Sequence, residues 1–407
     1  MNCRHCKTYL SHIFLDLGFA PLSNAYLSKI DFKKAEIYYP LKVYTCNNCW
    51  LVQTEDYASP ELLFAHDYAY FSSTSDSWVL HAKDYSNKII KKLNLNEKSY
   101  VIEIASNDGY LLKNFVEKKI PCLGIEPTTS TADVAEKLSI PVIREFFGET
   151  LGKKLASEGR QADLIVGNNV YAHVPDINDF TKGLKAALKP NGTITLEFPH
   201  LMRLIEKTQF DTIYHEHFSY LSLHTVSRIF SSVGLLVWHV EEILTHGGSL
   251  RVYGCHQNEK RKKTEFVDEV LKKEVVQGVL ELETYMSFTD KVNKIKNDLL
   301  SFLIEQKRSG NKVVAYGAAA KGNTFLNYAG VSNDLIDFVV DKSPYKQGKF
   351  LPGSHIPIVS EEKISEIKPE YILILPWNIK EEIINQLSYA RKWNVKFVVA
   401  VPELKII

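Results

Sequence analysis

Two Cys-x-x-Cys pairs, Cys3 with Cys6 and Cys46 with Cys49, constrain this chain more than any other feature. A two-residue gap lets both thiolates of a pair reach one ion, and two such hooks complete a tetrahedral shell with metal–sulfur distances near ~2.3 Å. Four thiolates leave no open position for water or substrate. The expected ion is therefore a structural Zn2+, stabilising a segment too poor in apolar residues to fold alone. The same sulfurs would also serve an iron or redox site. His5, between the first pair, is expected to be exposed.

The other two cysteines, Cys122 and Cys255, stand alone in apolar or strand-like surroundings, which is unlike a secreted disulfide framework. Lys and Arg total 49 against 48 acidic residues, so no long-range field gathers nucleic acid or an anionic membrane. The longest apolar runs, such as Tyr371 to Pro376, fall far short of the roughly 20 residues of a bilayer-spanning helix, and Met1-Asn2-Cys3-Arg4 begins no signal peptide. A cytoplasmic protein without nucleic-acid or membrane partners is expected. With 407 residues the chain exceeds what one core serves.

Three units are expected. Residues 1–75 form the zinc-binding module. From Ser99 to about Cys255, apolar strands at Tyr100–Ile104, Cys122–Glu126, Leu164–Val166 and Thr193–Glu197 alternate with helical stretches, the pattern of a parallel α/β sheet; this unit is placed at 76–257. Residues 258–310 carry apolar residues at three- and four-residue steps (Val267, Val270, Leu271, Val275, Val279) and read as a helical connection. Strands at Val313–Gly317, Leu335–Asp341, Tyr371–Leu375 and Val395–Val399 then indicate a second doubly wound fold, completing 258–407.

The strand ending at Ile104 runs into Ala105-Ser106-Asn107-Asp108-Gly109, a small-residue turn in Glu-x-x-x-x-x-Gly form beginning at Glu103. The next strand ends in Glu126, about 20 residues on, where an acid accepts hydrogen bonds from ribose hydroxyls. The Gly-x-Gly-x-x-Gly suited to a pyrophosphate is missing, and one glycine among polar residues suits S-adenosylmethionine. The turn resembles motif I of class I methyltransferases, and Asn168 lies at the fourth-strand exit where those enzymes place donor contacts.

Phe210-Asp211-Thr212-Ile213-Tyr214-His215-Glu216-His217-Phe218-Ser219-Tyr220 crowds titratable side chains between aromatics. His173, in Tyr171-Ala172-His173, adds an imidazole at the carboxyl edge of the sheet, and His246-Gly247-Gly248-Ser249-Leu250-Arg251 adds a third. His215 and His217, two apart on an extended segment, would face one way and Glu216 the other, with no further carboxylate at helical spacing to complete a metal site.

Together with Tyr316-Gly317-Ala318-Ala319-Ala320-Lys321-Gly322-Asn323, these motifs resemble the nucleotide-sugar 3-C-methyltransferases of unusual deoxysugar biosynthesis over essentially the whole chain. The resemblance implies a class I methyltransferase domain followed by a second Rossmann-like domain. It implies a dTDP-linked 4-keto-deoxyhexose as substrate, with a GDP-linked one as the variant. It also implies His217 as the base that removes the C3 proton, with Tyr214, Glu216, His173 and Tyr68 as its companions. Neutral imidazole is competent for a C–H made acidic by a neighbouring ketone. Glu103, Ser106, Asn107, Asp108, Gly109, Glu126 and Asn168 are the expected donor-site residues. His246, Ser249, Arg251, Tyr316, Lys321, Asn323 and His355 are the expected substrate contacts, Lys321 and the turn before it holding the pyrophosphate. A chain with its own three modules can work as a monomer. A silent sugar-nucleotide binder and an NAD-dependent sugar-nucleotide epimerase or dehydrogenase are the alternative functions.

Overall fold

A computed structural model describes residues 1–57 and 71–407. Near the N-terminus, His12–Ala20 (β1), Tyr39–Thr45 (β2) and Val52–Thr54 (β3) pair antiparallel in that order. Their inward side chains Phe14, Leu15, Leu17, Leu41 and Val43 share one apolar core with Val313, Leu326 and Leu373 far along the chain. Phe14 stacks on Phe288 at 4.6 Å and meets Tyr285 edge-on at 5.4 Å. Each fully buried aromatic of this kind contributes roughly 2–3 kcal/mol. The N-terminal segment thus differs from the expectation that something other than packing must hold it: apolar burial against the helices Leu282–Met286 and Phe288–Arg308 does part of that work.

The central sheet is built from Val101–Ile104 (β4), Cys122–Ile125 (β5), Val142–Ile143 (β6), Ala162–Asn168 (β7) and Leu188–Pro199 (β8). Ser219–Tyr220 (β9) leaves this sheet and pairs with β3. Leu235–Ile243 (β10) and Ser249–His256 (β11) return to it, and the spatial order is β10-β11-β8-β7-β4-β5-β6. Strands β4 to β8 are parallel, while β11 is antiparallel to β8 and β10. The direction of strand addition reverses between β4 and β7, so a crevice opens at their carboxyl ends, where open α/β sheets bind ligands. Helix Asp76–Leu93 covers the sheet with Trp78, Ala82, Tyr85 and Ile89, a three- and four-residue spacing.

Val313–Tyr316 (β12), Val339–Val340 (β13), Ile358–Val359 (β14), Tyr371–Ile374 (β15), Lys396–Val399 (β16) and Lys405–Ile406 (β17) form a third sheet in the order β14-β13-β12-β15-β16-β17. Its switch lies between β12 and β15. The strand expected over Leu335–Asp341 shortens to β13, because the amides of Leu335 and Ile336 both turn back to the Ser332 carbonyl. Helix Ala320–Ala329, which follows β12, packs on the 210–213 segment: Phe325 meets Phe210 edge-on at 5.1 Å and the Thr324 hydroxyl donates to the Ile213 carbonyl at 2.9 Å. The two switch points are thereby brought to the same segment. Among the described residues no helix is long and apolar enough to cross a membrane.

Candidate active site

The sulfurs of Cys3, Cys6, Cys46 and Cys49 all lie within 4.8 Å of one another, with Cys3–Cys49 and Cys6–Cys46 both at 3.5 Å. The edge of a zinc tetrathiolate tetrahedron is about 3.8 Å, so the cluster fits Zn2+. His5 is half-buried rather than exposed, because its Nδ1 meets Asn178 Oδ1 at 2.8 Å.

The turn after β4 is shaped by left-handed backbone at Ala105, Asn107 and Gly109. A Cβ at Gly109 would come within 2.5 Å of Ile140 Cδ1, so glycine is required there for both angle and space. Glu126 holds the turn from the next strand, its two oxygens accepting the amides of Asn107 and Thr128, both at 2.9 Å. From above, the amides of Ser72 and Ser73 donate to the side chains of Asn107 and Asp108 at 2.9 and 3.0 Å. Glu103 is buried on β4. Burial, aided by the charges of Asp108 and Glu126, pushes its carboxyl well above the usual carboxylate range. Ser106 Oγ, Asp108 Oδ1, Glu103 Oε2 and both amide atoms of Asn168 are buried without a hydrogen-bond partner among the described residues. Acidic side chains and unspent polar atoms in one crevice fit a ligand rich in hydroxyl and amino groups, as S-adenosylmethionine is.

Across the crevice, the segment expected to be extended turns instead, with the His217 amide donating to the Tyr214 carbonyl at 2.9 Å. His215 and His217 consequently do not face one way. His215 points at the Pro40 carbonyl, 3.2 Å away, and at the Tyr39 ring. His217 lies 4.6 Å from the His173 ring and 4.1 Å from the Tyr214 ring. Its Nδ1 is 2.8 Å from the Thr212 carbonyl. That contact requires a proton on Nδ1 and leaves the Nε2 lone pair free to accept one. Burial, then the neighbouring His173, holds the His217 imidazole well below the ordinary histidine value, and burial brings His173 to about 4. Both rings are neutral at ordinary pH. Burial pushes Glu216 up to about 7 although Asn24 donates to both its oxygens, at 2.8 and 2.9 Å. Tyr68 lies outside the described residues.

His246 sits on a tight turn with left-handed backbone, and its Nε2 accepts from the Asn169 amide at 3.1 Å. Burial and the charge of Lys321 lower it to about 4. The turn is held by Glu197 near the end of β8, which accepts from Thr245 Oγ1 at 3.0 Å, Arg251 at 2.6 Å and the His81 ring at 2.9 Å. Burial works against this carboxylate, but His81 and Arg251 bring it to about 2. Ser249 donates to the Thr245 carbonyl at 3.0 Å. Arg251 and Ser249, expected to touch substrate, thus have their contacts in the framework that carries His246.

In the third sheet, Gly317 has left-handed backbone and a Cβ there would lie 2.4 Å from Pro376 Cδ. Asp341 accepts the amides of Ala318 and Ser343 at 2.8 and 2.9 Å. Lys321 is aimed inward: Nζ donates to Asn378 at 2.7 Å and lies 4.9 Å over the Trp377 ring, and burial lowers its pKa. Trp377 Nε1 donates to Asp211 at 2.7 Å, and burial, partly offset by Lys321, pushes Asp211 up to about 6. Tyr316 accepts from Gln386 at 2.7 Å, and Asn323 is buried in the first turn of helix Ala320–Ala329. His355 is not gathered with them. It pairs on the surface with Glu36 at 2.7 Å and meets the Phe32 ring.

Several residues of the site were missed by sequence reasoning. Trp377 and Asn378 lie just past β15, after Leu375 and Pro376, at a switch point, a position that could have drawn attention. Asp211 and Asn169 stood in segments already singled out. Glu197 lies near the end of β8 without any accompanying motif, and nothing in the sequence marks Asn24.

Residues 3–64 match the zinc binding domain family model, residues 80–240 a methyltransferase domain and residues 244–402 the C-methyltransferase C-terminal domain. The C-methyltransferase NovU of Streptomyces niveus is 33% identical over 406 residues, covering 100% of this chain and 96% of that protein. Among solved structures, the PH0226 protein of Pyrococcus horikoshii OT3 has 13% identity and a TM-score of 0.39, covering 46% of this chain and 94% of that one. Magnesium protoporphyrin IX methyltransferase of Synechocystis PCC 6803 with bound SAM has 12% identity and a TM-score of 0.33, covering 44% and 82%. The chain belongs to the S-adenosylmethionine-dependent C-methyltransferase family that carries an N-terminal zinc-binding module.

Proposed function

We propose that this protein methylates C3 of a nucleotide-linked 4-keto-6-deoxyhexose, with His217 as the base and Glu103, Ser106, Asn107, Asp108, Gly109, Glu126 and Asn168 as the donor site. The observation that carries the reading is the Thr212 carbonyl on His217 Nδ1, which dedicates Nε2 of a buried, neutral imidazole to accepting a proton. A carbon nucleophile needs such a group, and a ketone beside the C–H supplies the acidity. S-adenosylmethionine, when bound, offers a methyl group on a sulfonium that departs as a neutral thioether.

His217 Nε2 takes the C3 proton, and the electron pair of that bond passes into the C3–C4 enolate. The enolate oxygen needs a donor, which the Tyr214 hydroxyl provides, while the single N–H of neutral His173 is directed to the Glu216 carbonyl beside His217. The nucleophilic C3 then forms the new carbon–carbon bond. Glu216, titrating near pH 7, holds the neighbouring substrate hydroxyl. Tyr220, buried with its ring 5.9 Å from that of His217, keeps water, the competing proton source, from the enolate. The substrate's diphosphate carries negative charge, and the charge of Lys321 beside the Gly317 turn is the reason to place it there.

Mass spectrometry of the reaction with dTDP-4-keto-6-deoxyglucose in deuterated water, beside His217→Ala, tests this. Gain of one methyl in the wild type and loss of about 10²-fold or more in the variant is expected. Undiminished methylation by His217→Ala would remove it as base. No methylation of either dTDP- or GDP-linked ketosugars would overturn the substrate.

A further inference from the structure

We infer that Asn24, carried by the N-terminal module, is a positioning residue for the reaction centre: its side-chain amide fixes the Glu216 carboxylate where the substrate hydroxyl meets it. This rests on the reading above only in taking Glu216 to face the substrate.

The geometry is specific. One amide nitrogen stands 2.8 and 2.9 Å from the two oxygens of Glu216, and among the described residues no other side chain is hydrogen-bonded to that carboxylate. Glu216 is 4% exposed, so water replaces little of what Asn24 supplies. The loop bearing Asn24 is itself tied down on the far side. The Tyr26 hydroxyl donates to the Ala318 carbonyl at 2.6 Å, and Leu27 and Phe350 exchange two backbone hydrogen bonds at 3.0 and 2.8 Å. Within four residues the loop therefore touches the proposed acid–base segment and the glycine turn of the third sheet. A carboxylate held on both oxygens loses its freedom to rotate, and that freedom would otherwise spread its lone pairs over directions useless to the substrate. Among the described residues, the other groups facing Glu216 are the Tyr26 phenol, with Asp341 beyond it, and the His173 ring on the Glu216 carbonyl. Glu216 lies between His215 and His217 in the chain. None of these groups is a cation at neutral pH that would substitute for the Asn24 amide.

The test is a 13C NMR titration of protein labelled at the glutamate side-chain carboxyl, the Glu216 signal assigned by its loss in Glu216→Gln. In Asn24→Leu the midpoint should rise by about one pH unit, because the lost donor favoured the ionised form. In the isosteric Asn24→Asp, which preserves shape if the leucine variant fails to fold, the added like charge should raise it further. In parallel, kcat should fall about 10-fold or more with the donor KM unchanged. Glu216 titrating at its wild-type midpoint in these variants overturns the inference, as does a shifted midpoint with unchanged kcat. The titration needs no substrate, so it decides the positioning even if no ketosugar is methylated.

Discussion

The turn after β4 and the turn after β12 are built alike and surrounded differently. Each begins with left-handed backbone, at Ala105 and at Gly317, and each is clamped by an acid ending the neighbouring strand. Glu126 accepts two amides at 2.9 Å, and Asp341 accepts two at 2.8 and 2.9 Å, the second donor in both cases lying two residues beyond the acid. The surroundings diverge. Glu103 and Asp108 crowd the first turn with acidic side chains, whereas Lys346 donates to the Ala318 carbonyl at 2.8 Å and Lys321 lies just beyond the second. The clamp is therefore a scaffold common to both sheets, and it is the charge set around it that differs between them.

The largest expected effect that would sharpen this contrast is Glu126→Ala. Losing two charge-assisted hydrogen bonds at the donor turn should weaken S-adenosylmethionine binding about 10²-fold or more in calorimetry, with sugar-nucleotide binding unchanged. Lys321→Met should do the reverse, raising the sugar-nucleotide Kd about 10-fold and leaving the donor alone. Equal losses for both ligands in either variant would break the comparison. Next is Asp211→Asn, where the two crevices meet. Burial raises Asp211 from the ordinary carboxylate range to about 6, so the fold favours its neutral form. That contribution is fully present at low pH and is lost as pH rises through about 6. The asparagine variant, neutral throughout, should gain stability on the wild type between about pH 4 and pH 7, by on the order of 2 kcal/mol in denaturant titrations. Smallest is Tyr26→Phe, which removes the hydroxyl on Ala318 and should cost about 1 kcal/mol in the same titrations.

Much of this was legible from local pattern. The thiolate spacing, the alternation of strands with helices and the Glu103–Gly109 turn are all contiguous in sequence. The run from Tyr214 to Tyr220 was legible as a reactive segment but not as a turn, because its shape follows from a hydrogen bond between Tyr214 and His217 that no periodicity announces. His355, expected near the nucleotide because its loop resembles one in the family, pairs with Glu36, 319 residues away, a partner no local pattern marks. Asn24 was invisible for the same reason: Glu216 lies 192 residues on, and only the folded chain joins them.

The pairing of β9 with β3 reaches beyond catalysis. Val52 faces Tyr220 and Gln53 faces Ser219, and the Thr54 hydroxyl and amide add bonds to His217 and Phe218. During synthesis the N-terminal sheet therefore waits with one edge unpaired until the chain has emerged past Tyr220. An open edge strand invites pairing with other chains, and closing so long a loop is slow. The N-terminal module is in this sense not a portable part. Cut free or grafted elsewhere, it would leave behind the strand that finishes its own sheet.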